Sequence, residues 1–94
     1  MSDILLDRMK AHLRLTGNAL DEVIKQDIDT ALIDMTDAGI DISSMDGKIC
    51  KAVELFLRWQ LNFNGEAERY QKNYRSLCDM MSKQKNYILK GDAE

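Results

Sequence analysis

The segment from residue 46 to residue 65 constrains the fold more than any other part of this sequence. At about 100° per residue, its apolar side chains cover most of the circumference of a helix, which one neighbour cannot bury. We therefore predict a central helix with other helices on at least two sides. Asp46 is a typical N-cap residue, and Gly65 is typical of the position after a helix. The residues predicted to face inward are Ile49, Cys50, Ala52, Val53, Phe56, Leu57, Trp59, Leu61 and Phe63.

Apolar periodicity predicts three more helices around this one, at residues 4–14 after an Asp3 cap, at 19–38 and at 66–82. Each has one apolar stripe and one polar face, which is the pattern of a helix packed on a core. The residues predicted to face inward are Leu5, Leu6, Met9 and Leu13 in the first, Leu20, Val23, Ile24, Ile28, Ala31, Leu32, Met35 and Ala38 in the second, and Ala67, Tyr70, Tyr74, Leu77, Cys78 and Met81 in the last.

The fold class that follows is all-α: a compact bundle of about four helices with a short extended C-terminal tab at Tyr87, Ile88 and Leu89. We predict one domain over residues 1–90 and a disordered tail over 91–94. The composition agrees, because 45% of the residues are hydrophobic, 31% are charged and none is proline. No apolar run approaches the roughly 20 residues of a membrane span, so no membrane association is predicted.

Catalytic and metal-binding patterns are missing from the sequence. It has one histidine, no glycine-rich phosphate loop and no Cys-x-x-Cys pair, and its two cysteines are predicted to be free thiols in a reducing compartment. The acidic loop that starts at Asp37 fails as an EF-hand, because Ile42 stands where glycine is needed and Lys48 where glutamate is needed. We therefore predict no enzymatic activity, no cofactor and no metal.

The charge is distributed unevenly along the chain. Residues 1–46 contain four basic and ten acidic side chains, whereas residues 47–94 contain nine basic and six acidic ones. This asymmetry is consistent with two differently solvated faces. It is also consistent with an acidic flank of one copy meeting a basic flank of the next, as in a head-to-tail ring.

Five apolar residues are candidates for a subunit or partner interface. Ile33 is predicted on the polar face of the second helix, and Leu55 opposite the apolar arc of the central helix. Each is either a single exposed aliphatic residue or is covered by a neighbouring subunit. The tab formed by Tyr87, Ile88 and Leu89 is either a last patch on the domain's own core or a docking strand for another chain.

The order of these segments is similar to that of a known family. MKAHLRL at residues 9–15, followed by DEVIKQDI at 21–28, resembles the opening of the phage head–tail connector proteins, which are also described as phage DNA-packaging proteins. AVELFLRWQLNFNG at 52–65 is similar to the third helix of that family, and EAERYQKNYRSL at 66–77 to the helix that follows, with a terminal tab at Tyr87.

The resemblance implies a structural role in a tailed phage or prophage. Members of the family form a ring of about a dozen subunits beneath the portal, extend the DNA channel and dock later head-completion or tail proteins. The expected partners are therefore copies of the chain itself, the portal protein and those later proteins, with DNA only as passing cargo and no membrane. The expected location is the head–tail junction of the virion, and the bacterial host cytoplasm during assembly.

Two other functions are compatible with a small helical domain. Short helices joined by Thr16, Gly17 and Asn18 suit a helix-turn-helix in a nucleic-acid-binding regulator. However, the helix after this turn opens with Asp21 and Glu22, where a recognition helix presents groups that bind phosphates and bases. A monomeric adaptor outside a phage is the third alternative.

Overall fold

The computed structural model describes residues 2–88, and the side chains of these residues except 2–4, Phe63 and Asn86. Four α-helices account for most of them, and within this range the β pairing is limited to one isolated bridge. The prediction of an all-α bundle is confirmed. The helices are α1 (Ser2–Leu13), α2 (Asp21–Asp37), α3 (Gly47–Gln60) and α4 (Ala67–Ser82), with 3-10 turns at Phe63–Gly65 and Lys85–Tyr87.

Helix α3 is the centre of the bundle and contacts each of the other three helices. Its first turn is capped by Asp46, whose Oδ1 accepts hydrogen bonds of 3.1 Å from the amides of Lys48 and Ile49. These contacts confirm the predicted N-cap and the predicted central position. The buried residues of α3 are Ile49, Cys50, Ala52, Val53, Glu54, Leu55, Phe56 and Leu57.

The prediction that Leu55 is exposed is wrong, and the burial of its neighbour Glu54 was not predicted. Leu55 is only 7% exposed, and Glu54 is also buried. All three other helices contact α3, so its exposed face is reduced to a strip that includes Lys51. Leu55 therefore belongs to the core of a single chain and offers no surface to a second one.

Two predicted helix starts are also wrong. Helix α1 begins at Ser2, so Asp3 lies inside its first turn and does not precede it. Helix α2 begins at Asp21, and Leu20 and Val23 are exposed although both were predicted to face inward. Ala38, at the other end of α2, is exposed as well. These residues flank the stripe of α2 that α1 and α3 cover.

Helix α3 ends at Gln60, earlier than its apolar pattern predicts. The chain leaves the helix because Asn62 adopts a positive φ of 49°, a conformation that asparagine tolerates better than most residues. The side chain of Asn62 then accepts a hydrogen bond of 3.2 Å from the amide of Ala67 at the start of α4. One residue therefore ends α3 and stabilises the beginning of α4.

An aromatic cluster joins α3 to α4. The ring of Phe56 lies edge-on to those of Trp59 and Tyr74, with centroid distances of 5.3 Å to each. The Tyr74 hydroxyl donates a hydrogen bond of 2.7 Å to Asp34 on α2. Burial, together with this hydrogen bond, raises the pKa of Tyr74 above its ordinary value, so the phenol stays neutral. These contacts connect α2, α3 and α4 through one side chain.

Candidate interaction surface

The C-terminal segment packs onto the loop between α2 and α3. Ile88 pairs with Ile40 in an antiparallel bridge, and the Asp41 amide donates a hydrogen bond of 2.6 Å to the carbonyl oxygen of Tyr87. The Tyr87 side chain is only 3% exposed and belongs to the main hydrophobic cluster. Tyr87 is therefore part of the domain's own core, which was one of the two alternatives, and it is not available to a partner. Leu89 lies outside the described residues.

The Tyr87 hydroxyl, at the edge of the core, donates a hydrogen bond to Oδ2 of Asp46, the residue that caps α3. Burial alone would raise the pKa of Asp46. The hydrogen bonds from Tyr87 and from the amides of Ile49 and Lys48 outweigh burial, and the pKa lies below its ordinary value. The same hydrogen bond raises the pKa of the Tyr87 hydroxyl. One ionised carboxylate thus connects the C-terminal segment to the start of the central helix.

An apolar groove lies on the surface of α2. Ile33 is 61% exposed, as predicted, and forms this shallow groove together with Ile42 from the following loop. The volume of the groove is about 190 Å³. The residues that line it are Leu32, Ile33, Thr36, Asp37 and Ile42. Sequence reasoning found Ile33 but missed Ile42, because no periodicity relates a loop residue to a helix face.

The surface around Ile33 is acidic. Helix α2 contains six carboxylates and one lysine. Glu22 and Asp29 lie 11 and 4 positions before Ile33, and Asp37 lies 4 positions after it. These spacings keep a residue on the same side of a helix. All three are exposed. An apolar centre with an acidic rim selects a partner surface that is apolar and basic.

Another exposed apolar residue, Met80, lies on α4 and was not among the predicted interface residues. It is 41% exposed, while its neighbour Met81 is buried. Arg69 and Lys83, at 11 positions before and 3 after Met80, share its side of the helix. Both are exposed. The sequence contains a signal for this surface, because Met80 falls outside the apolar stripe of α4.

Ile88 is the remaining predicted interface residue, and its side chain is 42% exposed beside the bridge to Ile40. Ile33 and Ile88 are therefore accessible to solvent, whereas Leu55 and Tyr87 are buried in the core. The four of these residues that the structure describes therefore do not form one exposed patch. Their role in contacts with other chains stays a prediction.

An ionic cluster around the buried Glu54 joins α1 to α3 at a different surface. Glu54 accepts from Nδ1 of His12 at 2.8 Å and from Nε of Arg58 at 3.0 Å, and Nζ of Lys51 lies 3.7 Å away. Burial alone would raise the pKa of Glu54. The hydrogen bonds from His12 and Arg58 and the charge of Lys51 outweigh it, so the pKa is lowered. The cluster fixes the C-terminal turn of α1 against α3.

We expect Glu54→Gln to lower the free energy of unfolding at neutral pH by about 1–2 kcal/mol, because a charge-assisted pair of hydrogen bonds is weakened. Since the folded pKa lies below the ordinary value of 4.5, the difference between the two proteins is complete above that pH and decreases as the pH falls further. Urea unfolding of both proteins from about pH 7 to about pH 3 measures this difference. A difference that is constant over this range would contradict the assignment.

Within residues 2–88, the described side chains include no group of three His, Cys, Asp or Glu residues that could hold a metal ion. In the same part of the chain, every helix is too short or too polar to cross a bilayer. No protein-family model, curated protein or solved structure matches this chain. The resemblance to the connector family therefore rests on the quoted segments and on the order of the helices.

Proposed function

We propose that this chain is a structural subunit of a phage or prophage head–tail connector. Copies of it assemble into a ring under the portal, extend the DNA channel and dock later head-completion or tail proteins. The observation that carries the proposal is the pair of unlike exposed surfaces, an apolar groove with an acidic rim at Ile33 on α2 and an exposed Met80 on α4, a helix with more basic than acidic side chains. The resemblance of the helical segments to connector proteins supports it.

The charges of the two helices favour head-to-tail assembly. Helix α2 contains six carboxylates and one lysine, whereas residues 67–87 contain five basic and two acidic side chains. When unlike surfaces of identical subunits meet, each added copy presents a new surface of each kind, and a suitable rotation closes the series into a ring. A contact between two α2 faces would oppose like charges, which is unfavourable.

The same charges argue against the nucleic-acid-binding regulator. In a helix-turn-helix, α2 would be the recognition helix, and its N-terminal turn would approach the bases and phosphates. Glu22 is exposed in that turn, and Asp21 forms an ion pair with Lys10 at 2.8 Å. Carboxylates at this position repel the phosphate backbone. The acidic balance instead suits a channel wall along which DNA slides without tight phosphate contacts.

Co-expression with the portal protein encoded in the same genome tests the proposal. We expect ring-shaped particles in negative-stain micrographs, and mass photometry should show a complex that contains many copies of this chain per portal ring. Two results together would overturn the proposal and support the regulator: no ring with or without the portal protein, and a salt-sensitive gel shift of duplex DNA by the isolated chain.

A further inference from the structure

We infer that the groove at Ile33 on α2 receives the side chain of Met80 from α4 of a second copy of the same chain. This inference rests on the proposed function and names the contact through which the subunits would meet. It requires two accessible surfaces that fit each other, and the described part of the chain provides both.

The shapes of the two surfaces are compatible. The groove is shallow, holds about 190 Å³ and has apolar walls from Leu32, Ile33 and Ile42. Methionine is unbranched and flexible, so it fits irregular apolar grooves without precise complementarity. Met80 is exposed on a regular stretch of α4. It can therefore enter a groove on another molecule without unfolding its own helix.

At four corresponding positions around the two apolar centres the charges differ overall, and Glu22 and Arg69 are the one oppositely charged pair among them. The residues 11, 7 and 4 positions before Ile33 and 3 positions after it are acidic or neutral. The residues at the same positions relative to Met80 are basic or neutral. Every one of these residues is exposed. In that order they are Glu22, Gln26, Asp29 and Thr36 around Ile33, and Arg69, Asn73, Ser76 and Lys83 around Met80.

The basic residues near Met80 are free to exchange partners. Arg69 pairs with Glu66 at 2.8 Å and Lys83 pairs with Asp79 at 3.2 Å, both on the surface of the same helix. Exposed pairs of this kind contribute little to stability, because solvent screens them. Turning toward the carboxylates of a neighbouring α2 therefore costs the monomer little and gives the contact its orientation.

Three single variants test this contact. Ile33→Ser removes the groove centre, Met80→Ser removes its occupant, and Val23→Ser is the matched control, an exposed apolar residue of α2 outside the groove. Because all three positions are exposed, we expect unchanged thermal unfolding by circular dichroism. In sedimentation equilibrium up to millimolar protein, Ile33→Ser and Met80→Ser should each weaken self-association by at least about tenfold, and Val23→Ser should match the wild type.

Mixing the two defective variants distinguishes unlike from like surfaces. The Ile33→Ser chain keeps Met80 and the Met80→Ser chain keeps the groove, so an equimolar mixture should form a one-to-one dimer that grows no further. Self-association of Met80→Ser alone at wild-type strength would overturn the inference. So would a wild-type chain that stays monomeric at millimolar concentration, or a loss in Val23→Ser equal to that in Ile33→Ser.

Failure of this contact is separable from failure of the proposed function. If rings form with the portal from wild type and from both serine variants alike, the Ile33–Met80 contact is wrong and the connector role stands. If the variants and their mixture behave as expected but no ring forms with the portal, the contact stands and the connector role is wrong.

Discussion

Leu55→Ala is expected to lower the free energy of unfolding by about 2–5 kcal/mol, and Ile33→Ala to change it by about 0.5 kcal/mol or less. Both residues are aliphatic, and the sequence gives both the same expectation of an exposed position on a helix. Leu55 is buried on the helix that contacts all the others, so its truncation leaves a cavity. Ile33 is exposed to solvent, so truncation removes few contacts within the chain.

Trp59 provides the signal for this measurement. It is the only tryptophan of the chain. The centroid of its ring lies 5.3 Å from that of Phe56 and 6.1 Å from that of Tyr74. Its fluorescence therefore reports the loss of core packing during urea unfolding. Similar and small effects of both substitutions would contradict the burial of Leu55 and restore it as a surface residue.

The same pair of variants separates folding from assembly. Leu55→Ala should reduce assembly only as far as it unfolds the chain, so osmolytes that stabilise the fold should restore assembly. Ile33→Ala should reduce assembly while the chain stays folded, and the same osmolytes should not correct that defect. This contrast tests whether the accessible surface of α2, and not that of α3, carries the contact.

The sequence predicted the central helix because an apolar arc and an N-cap are local signals. The Asp46 cap and the inward-facing residues from Ile49 to Leu57 lie within one stretch of chain, and the structure agrees with them. Leu55 was placed on the wrong face, and the burial of Glu54 was missed, for a different reason. A helical projection shows which face of the helix a residue lies on. Whether another helix covers that face depends on the rest of the chain. Glu54 is compensated by His12, which is 42 positions away.

The candidate surface was predicted in part. Ile33 was found because a single aliphatic residue among carboxylates is visible in the sequence, and its exposure agrees. The groove was not found, because Ile42 reaches α2 only through the path of the loop. Tyr87 was assigned to a tab of uncertain placement, since nothing local indicates that its hydroxyl meets Asp46, which lies 41 positions earlier. Contacts over such separations require the tertiary structure.

Tyr87→Ala is expected to lower the free energy of unfolding by about 3–5 kcal/mol, the range typical of removing a buried aromatic side chain. The ring belongs to the main hydrophobic cluster, so its removal opens a cavity at the loop between α2 and α3. Tyr87→Phe is the matched control, because it keeps the ring and removes only the hydroxyl that meets Asp46. It should lower the free energy of unfolding by about 1.5–3 kcal/mol, the range typical of a hydrogen bond to a charged group.

Urea unfolding measures both variants, and hydrogen exchange locates the effect. The amide of Asp41 donates to the Tyr87 carbonyl oxygen at 2.6 Å, so this amide should exchange much faster in Tyr87→Ala than in the wild type and only slightly faster in Tyr87→Phe. If Tyr87→Ala were as stable as the wild type but failed to assemble, the segment would be a docking strand after all. If Tyr87→Ala instead greatly lowers the free energy of unfolding, then Tyr87 holds the α2–α3 loop in place within a single chain. The chain would then present to a second copy a groove wall at Ile42 that is already formed before the two meet.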